Sequence, residues 1–471
     1  MNRKEYKIFK KNIFYSAISF FLRIFVNVII FLFIAKADFV KVSDFGLLNY
    51  AIGLGIIFTL LSDYGIETYA IRDIAAGKIK INEYSYIFSF RVFLSIISFL
   101  LFLIYCLIFK VEGFIFVLLI VISFYFNFLT RTVQLFFQAV EKFYFETKSR
   151  ILENLILIFF IFLNIFYFKN FILFGWLFFI SRLLGFLYTY NLFKKEFGFY
   201  LKIKFNKFKV KKFFFKSFSF ALLTILPTFM VSLDVVLIKN LIKNTINFIN
   251  TQIAYYSASV KLFVIFTFIA GVFQKALLPQ LSRLKRNKEL FFKSIHLLNN
   301  TLLNFNLISA IFIFIYAKDI ITLLYSQKYI EAVIFVKLVA IIIVLRTSAA
   351  YCLYFTILDF LRIRIYSSLI LLILFLSFSF YFIPKYNGIG ALFAMIIGYI
   401  GNWIYIFYQI YKRKEDLFLG LNKLFTILNC LFFYFLLKFL SFSFLNAIIL
   451  SILYLVVIYY ILLIRKGVRN F

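Results

Sequence analysis

Residues 114–138 read FIFVLLIVISFYFNFLTRTVQLFFQ, and Arg131 is the only charge in the stretch. About 20 apolar residues in a helix cross the roughly 30 Å of hydrocarbon in a bilayer, so this stretch predicts a membrane span. Its polar residues are ordered rather than scattered. Ser123, Asn127, Arg131, Gln134 and Gln138 follow one another at steps of three and four, the spacing that stacks side chains on one helix face. A charge deep in the bilayer costs about 2.5–3.5 kcal/mol on insertion scales, so such a face turns toward protein or a wet cavity. The stretch therefore predicts a bundle of membrane helices with a polar interior.

The rest of the chain repeats the pattern. Of 471 residues, 64% are hydrophobic and 15% charged, and the mean hydropathy is +1.00. Soluble domains are about 45–50% apolar and about 25% charged. A soluble enzyme, a nucleic-acid binder and a secreted disulfide scaffold are thereby excluded. Apolar runs of spanning length lie at 13–35, 46–69, 84–109, 114–138, 151–168, 171–193, 217–238, 251–276, 299–317, 332–356, 365–383, 388–411, 424–440 and 444–464. The expected fold is an all-α polytopic membrane protein with about 14 transmembrane helices.

The net charge of +33 is explained by topology. With the N-terminus inside, the inner segments hold 34 Lys and Arg and the outer ones ten. That bias over short loops predicts both termini in the cytoplasm, with no nucleic-acid partner needed. The N-terminal basic segment and the triplet Ala35-Lys36-Ala37 resemble a cleavable leader. However, an apolar run of more than 20 residues exceeds the 7–15 of a leader, so it reads as an uncleaved first span.

The longest hydrophilic stretch, 194–216, alternates lysines with Phe199, Tyr200, Phe205, Phe208 and Phe213, a composition suited to an amphipathic helix on the inner surface. It separates an N-terminal six-helix lobe, 1–193, from a second six-helix lobe, 217–411; two further helices and a short tail occupy 412–471. Ile57-Phe58-Thr59-Leu60 is echoed by Ile265-Phe266-Thr267-Phe268, 208 residues later. A true repeat gives two lobes in parallel orientation with a path between them. A match of four residues also arises by chance.

Several other spans carry ionisable groups near mid-depth. Arg23, Arg182, Lys261 and Arg346 fall there, and Arg131 falls in the inner half of its span. Ser16, Ser19, Arg23 and Asn27 form a stripe in the first span. Ser181, Arg182, Gly185 and Thr189 form one in the sixth, and Ala254, Ser257, Ala258 and Lys261 one in the eighth. The twelfth span has Ala391, Ala394, Gly398, Asn402, Tyr405 and Gln409. Such stripes either line a cavity or serve as ordinary helix-packing faces. Mid-membrane carboxylates look scarce: Asp234 is the clear one, with Asp63, Glu67 and Glu153 nearer span ends. Asp234 reads equally as a counter-ion to Lys261 or Arg182 and as an ion-coupling site. A surplus of guanidinium and ammonium groups predicts a cavity that attracts an anion with phosphate-like oxygens. Lys275, Lys337 and Arg91 lie close enough to span ends to snorkel.

No catalytic constellation is visible. His296, the single histidine, is expected as a solvated side chain in a basic inner loop, and Cys106, Cys352 and Cys430 as packing residues without metal-ligand spacing. Asp38 and Asp44, interleaved with Lys36 and Lys41, read as surface charges rather than as a metal pair. No phosphate loop or nucleophile elbow appears, so neither an enzyme nor a cofactor is expected.

A set of short motifs then carries a resemblance. Phe45-Gly46 opens the second span, and Asp63-Tyr64-Gly65-Ile66-Glu67 precedes Ala70-Ile71-Arg72-Asp73-Ile74-Ala75. Asp234 precedes Ala254-Tyr255-Tyr256-Ser257-Ala258-Ser259-Val260-Lys261-Leu262, followed by Pro279-Gln280-Leu281-Ser282, Leu324-Tyr325-Ser326-Gln327-Lys328-Tyr329 and Tyr386-Asn387-Gly388-Ile389-Gly390-Ala391. In this order they resemble bacterial polysaccharide biosynthesis proteins of the oligosaccharide flippase type, in the multidrug/oligosaccharidyl-lipid/polysaccharide exporter superfamily, over roughly the first 400 residues. Ser326 stands where glycine is expected, and fourteen spans exceed the twelve of the core fold.

The resemblance implies two six-helix lobes around a central cavity and export of a polyprenyl-pyrophosphate-linked oligosaccharide across the bacterial inner membrane for O-antigen or capsule assembly. Arg23, Arg131, Arg182, Lys261 and Arg346, with Asn27 on the Arg23 stripe, would hold the pyrophosphate. Asn127, Gln134, Asn402 and Tyr405 would meet sugar hydroxyls, and Asp234 would couple transport to an ion. Membrane lipids, a polysaccharide polymerase and a chain-length regulator are the implied partners. The rival within the superfamily, a multidrug exporter for cations, calls for an acidic cavity. A membrane-embedded glycosyltransferase or polysaccharide polymerase calls for a large outer loop.

Overall fold

The computed structural model describes residues 26–75, 83–198, 206–264, 288–358, 360–413 and 431–438, with isolated positions within 15–22, 201–204 and 444–455. Among these every regular element is helical. In hydrocarbon each backbone N–H and C=O must be satisfied within its own segment, and runs of Leu, Ile and Phe meet that demand as α-helices. The elements are α1 (Val26–Lys36), then α2 (Val42–Asp63), α3 (Ile66–Ala75), α4 (Tyr84–Ile108), α5 (Phe114–Ala139), α6 (Phe143–Leu163), α7 (Phe171–Phe197) and α8 (Lys207–Leu241). The helix over 246–264 is α9. There follow α10 (Lys288–Ile315), α11 (Ala317–Tyr325), α12 (Ala332–Leu345), α13 (Ser348–Ile357) and α14 (Leu361–Lys412).

Seven helices among the described residues are long and apolar enough to cross a membrane. Parts of the expected first, eighth, thirteenth and fourteenth spans lie outside the described residues, and 431–438 of the thirteenth are helical. The expected tenth span, 332–356, is two helices, α12 and α13, broken at Arg346 and Thr347. The eleventh and twelfth are the two arms of α14. They reverse at Asn387, whose φ of 54° and ψ of −137° are non-helical. A Cβ on Gly398 would lie 3.0 Å from the Leu371 carbonyl oxygen, and one on Gly401 would strike Leu374. Gly390 leaves no room for a Cβ beside the Phe382 carbonyl. The small-residue stripe of the twelfth span is thus a packing face between antiparallel arms.

Local signals set the helix ends. Tyr64 and Gly65 turn left-handed after α2, and Gly198 does so after α7. Asn170 caps α7 by accepting from the backbone N–H groups of Ile172 and Leu173. Asp44 accepts the Lys41 N–H at the start of α2, a capping role for one of the two outer-loop acids.

The chain divides into two compact units, Met1–Asn240 with Asn244–Ala254, and Leu241–Lys243 with Tyr255–Phe471. Within the first, α5 is central and packs on α2, α3, α4, α6 and α7. A Cβ on Gly46 of α2 would sit 1.7 Å from the Asn250 carbonyl oxygen, so the backbones touch there. Residues 207–216, expected in a separate surface helix, instead form the first turns of α8. Phe213, 3% exposed, inserts beside Tyr69 and Phe90, which anchors this basic stretch to the bundle.

In the second unit, α10 packs on α12 and α13, and α12 and α13 pack on α14. His296, expected in a loop, lies in α10. Phe444, from the C-terminal region, packs on Phe312 of α10 and on Tyr316, the N-cap of α11.

Candidate substrate site in the membrane interior

The polar stripe of residues 114–138 faces α6. Asn127 Nδ2 donates to Glu153 Oε1 at 2.8 Å, and Arg182 Nη1 of α7 donates to the same oxygen. Glu153 is 3% exposed. Three helices thus meet on one carboxylate. A Cβ on Gly185, one turn from Arg182, would lie 2.8 Å from Glu153 Cγ, so this glycine makes room for the glutamate.

Two turns away along the same α5–α6 seam lies a second polar layer. Gln134 Nε2 donates to Ser149 Oγ at 3.0 Å, and Arg150 Nη2 donates to Gln134 Oε1 at 2.9 Å and to Glu146 Oε1 at 3.0 Å. Ser19 of the first span donates to Glu146 at 3.0 Å, and Thr147 donates to the Tyr15 carbonyl at 2.9 Å. These bonds dock the first span onto α6.

A third ion pair joins Arg91 of α4 to Asp63 at the end of α2, at 2.8 Å, with the guanidinium 4.3 Å from the centre of the Phe128 ring. Arg131 and Glu67 also act electrostatically on Asp63. Arg91 was expected to snorkel; it is buried because Asp63 and the face of Phe128 offer it charge compensation inside the bundle. Beyond this pair, Ser62, Ser98 and Tyr125 form a hydroxyl chain at 2.7 and 2.6 Å.

One of the five expected mid-membrane cations thus has a carboxylate. Arg182 pairs with Glu153 rather than with Asp234, and Arg91 and Arg150 also hold carboxylates. Glu153 looked close to a span end because α6 was expected to begin near residue 151. The helix starts at Phe143, which places Glu153 three turns in.

Arg346 differs. It is the C-cap of α12, at the break, and its guanidinium stands 4.8 Å from the centre of the Phe263 ring. None of the ion pairs found among the described residues involves it. The break is pinned by Trp403, whose Nε1 donates to the Leu345 carbonyl at 2.5 Å, and by Asn306, whose Nδ2 donates to Thr347 Oγ1 at 3.0 Å. Discontinuous helices commonly carry transporter substrate sites. The Trp403 and Asn306 contacts were not anticipated from the sequence, since the run 332–356 has no Pro or Gly to announce a break.

The other expected residues are placed as follows. Lys261 is half-buried on α9, two residues before Phe263, and Asn27 is half-buried on α1. Arg131 is exposed, whereas Asp234 of α8 is buried and accepts the Val235 N–H. Asn402 Nδ2 donates to the Ser367 carbonyl at 3.4 Å within α14, and Tyr405 bonds Gln409. Lys337 is exposed on α12, over the Phe314 ring. Arg23 and Lys275 lie outside the described residues.

The sequence pattern of the family described as polysaccharide biosynthesis protein matches residues 9–285, more than half of the chain. The chain belongs to the polysaccharide biosynthesis protein family. No curated protein matches it. Among solved structures, the lipid II flippase MurJ in an inward closed conformation is similar at a TM-score of 0.71 and 18% identity. That match covers 97% of this chain and all of the other. An inward-facing multidrug resistance MATE family transporter of the MOP superfamily gives 0.65 at 12% identity, covering 85% of this chain and 98% of the other. A MOP superfamily transporter from Pyrococcus furiosus, described as having a binding pocket of reversed polarity, gives 0.56 at 12% identity, covering 86% and 95%. At these identities the likeness establishes the fold: this family member is a multi-pass helical membrane protein with the flippase and transporter architecture.

Proposed function

We propose that this polysaccharide biosynthesis protein is a flippase. It carries a polyprenyl-pyrophosphate-linked oligosaccharide from the inner to the outer leaflet of the bacterial cytoplasmic membrane, for O-antigen or capsule assembly, by alternating access with a cationic cavity. A pyrophosphate headgroup cannot cross hydrocarbon unaided. Guanidinium forks match its oxygens. The observation that carries the reading is Arg346, set at a helix break against an aromatic face and in none of the ion pairs found among the described residues. Arg23, Arg131, Arg182, Lys261 and Asn27 supplement it. Asn127, Gln134, Asn402 and Tyr405 exchange their present bonds for sugar hydroxyls, and Asp234 couples the cycle to an ion. Both termini are cytoplasmic, and a polysaccharide polymerase or chain-length regulator receives the product.

The test is complementation of a flippase-deficient strain. Arg346→Ala, confirmed as inserted, is expected to leave lipid-linked oligosaccharide on the inner leaflet, and Arg346→Lys to restore part of the export. Full export by Arg346→Ala would remove this residue from the substrate path.

A further inference from the structure

The Glu153 site suggests how an anion reaches an arginine, Arg182, that already holds a carboxylate. One oxygen of Glu153 receives both Asn127 Nδ2 and Arg182 Nη1, from two different helices. A single oxygen holding an amide and a guanidinium presents to those donors what a phosphate oxygen would present. The site is almost closed to solvent, so an arriving anion must replace the carboxylate rather than sit beside it. An added anion next to an ionised Glu153 would meet like-charge repulsion in a low-dielectric setting. Gly185 lets the Glu153 side chain lie directly against α7, since a Cβ there would stand 2.8 Å from Glu153 Cγ.

We propose that Glu153 is the resident counter-anion of an exchange site. In the unloaded protein it occupies Asn127 and Arg182, and on loading it gives up Arg182 to an oxygen of a diphosphate and frees Asn127 for a sugar hydroxyl. The inference rests on the flippase reading and adds to it a selection rule. Only a ligand with enough negative charge to displace a carboxylate gains Arg182, while a neutral or cationic molecule leaves the pair intact. Glu153 is then a specificity-determining residue through Arg182, without itself touching the cargo.

The experiment titrates the purified full-length protein in lipid nanodiscs with inorganic pyrophosphate. Removing the competitor with Glu153→Gln is expected to tighten pyrophosphate binding about tenfold, the equivalent of one charge-assisted hydrogen bond. Arg182→Gln should abolish the gain in the Glu153→Gln background. Unchanged or weaker binding by a folded Glu153→Gln variant would overturn the exchange and leave a purely structural pair.

If that variant does not fold, the wild type decides. Labelling of Glu153 by a hydrophobic carbodiimide, read by mass spectrometry, should increase when pyrophosphate is added; constant labelling would overturn the proposal. A wild type that binds no pyrophosphate at all would sink the flippase reading together with the exchange. Binding by the wild type without a Glu153 effect would sink the exchange alone. A short isoprenyl pyrophosphate titrated in parallel separates the sources: tighter binding than the inorganic ion marks the lipid-linked diphosphate as cargo, and equal binding marks the free anion.

Discussion

Arg91 and Asp63 meet at 2.8 Å, with the arginine side chain only 1% exposed. The pair clamps the end of α2 to α4, and the Phe128 ring of α5 closes it. It gives the Asp63-Tyr64-Gly65 motif a physical reason: the carboxylate is needed where the left-handed turn at Tyr64 and Gly65 ends the helix. Removing one partner leaves a buried charge alone, so Arg91→Met and Asp63→Asn should each cost about 3–5 kcal/mol. The double variant should cost less than the sum. Thermal unfolding in detergent across the four proteins checks this, and strict additivity would contradict the pairing.

Gly46→Ala should fail to accumulate as folded protein. The added Cβ would overlap the Asn250 carbonyl oxygen, a backbone atom that cannot rotate away. Expression and size-exclusion profiles report the result, with Gly53→Ala as the milder comparison. At Gly53 the nearest atom to a new Cβ is at 3.4 Å.

Ser326→Gly should stabilise the protein. Ser326 has a φ of 87°, a region that favours glycine, and its buried hydroxyl finds no hydrogen-bond partner among the described residues. Relief of such strain is worth about 1–3 kcal/mol, and a rise in melting temperature would record it.

The charge bias predicts orientation. A reporter active only outside the cytoplasm should be active when inserted after Lys243 and silent after Gly198. The reverse pattern would invert the topology.

Much of the fold was legible because membrane burial writes itself into single helices. The apolar run at 114–138 and the helix Phe114–Ala139 agree to within a residue, and Ser326 stood out as a departure before its backbone angle was known. The candidate site was less legible, since ion pairing is decided across helices. Asn127, Glu153 and Arg182 are separated by 26 and 29 residues and meet only because α5, α6 and α7 pack together. Glu146 and Arg150 fall between the expected spans 114–138 and 151–168 for the same reason: charged residues look like a boundary until their partners are seen. The break at Arg346 has no Pro or Gly to mark it and is held by Trp403, 58 residues from the carbonyl it bonds.

The hairpin of α14 has a mechanical corollary. Its arms approach closely at Gly398, beside the Leu371 carbonyl, and at Gly401, beside Leu374, which leaves little room between them to absorb a sliding displacement. Whatever excursion the second unit makes during a working cycle, Leu361–Lys412 travels as one stiff paddle, and a lesion on either arm is felt by both.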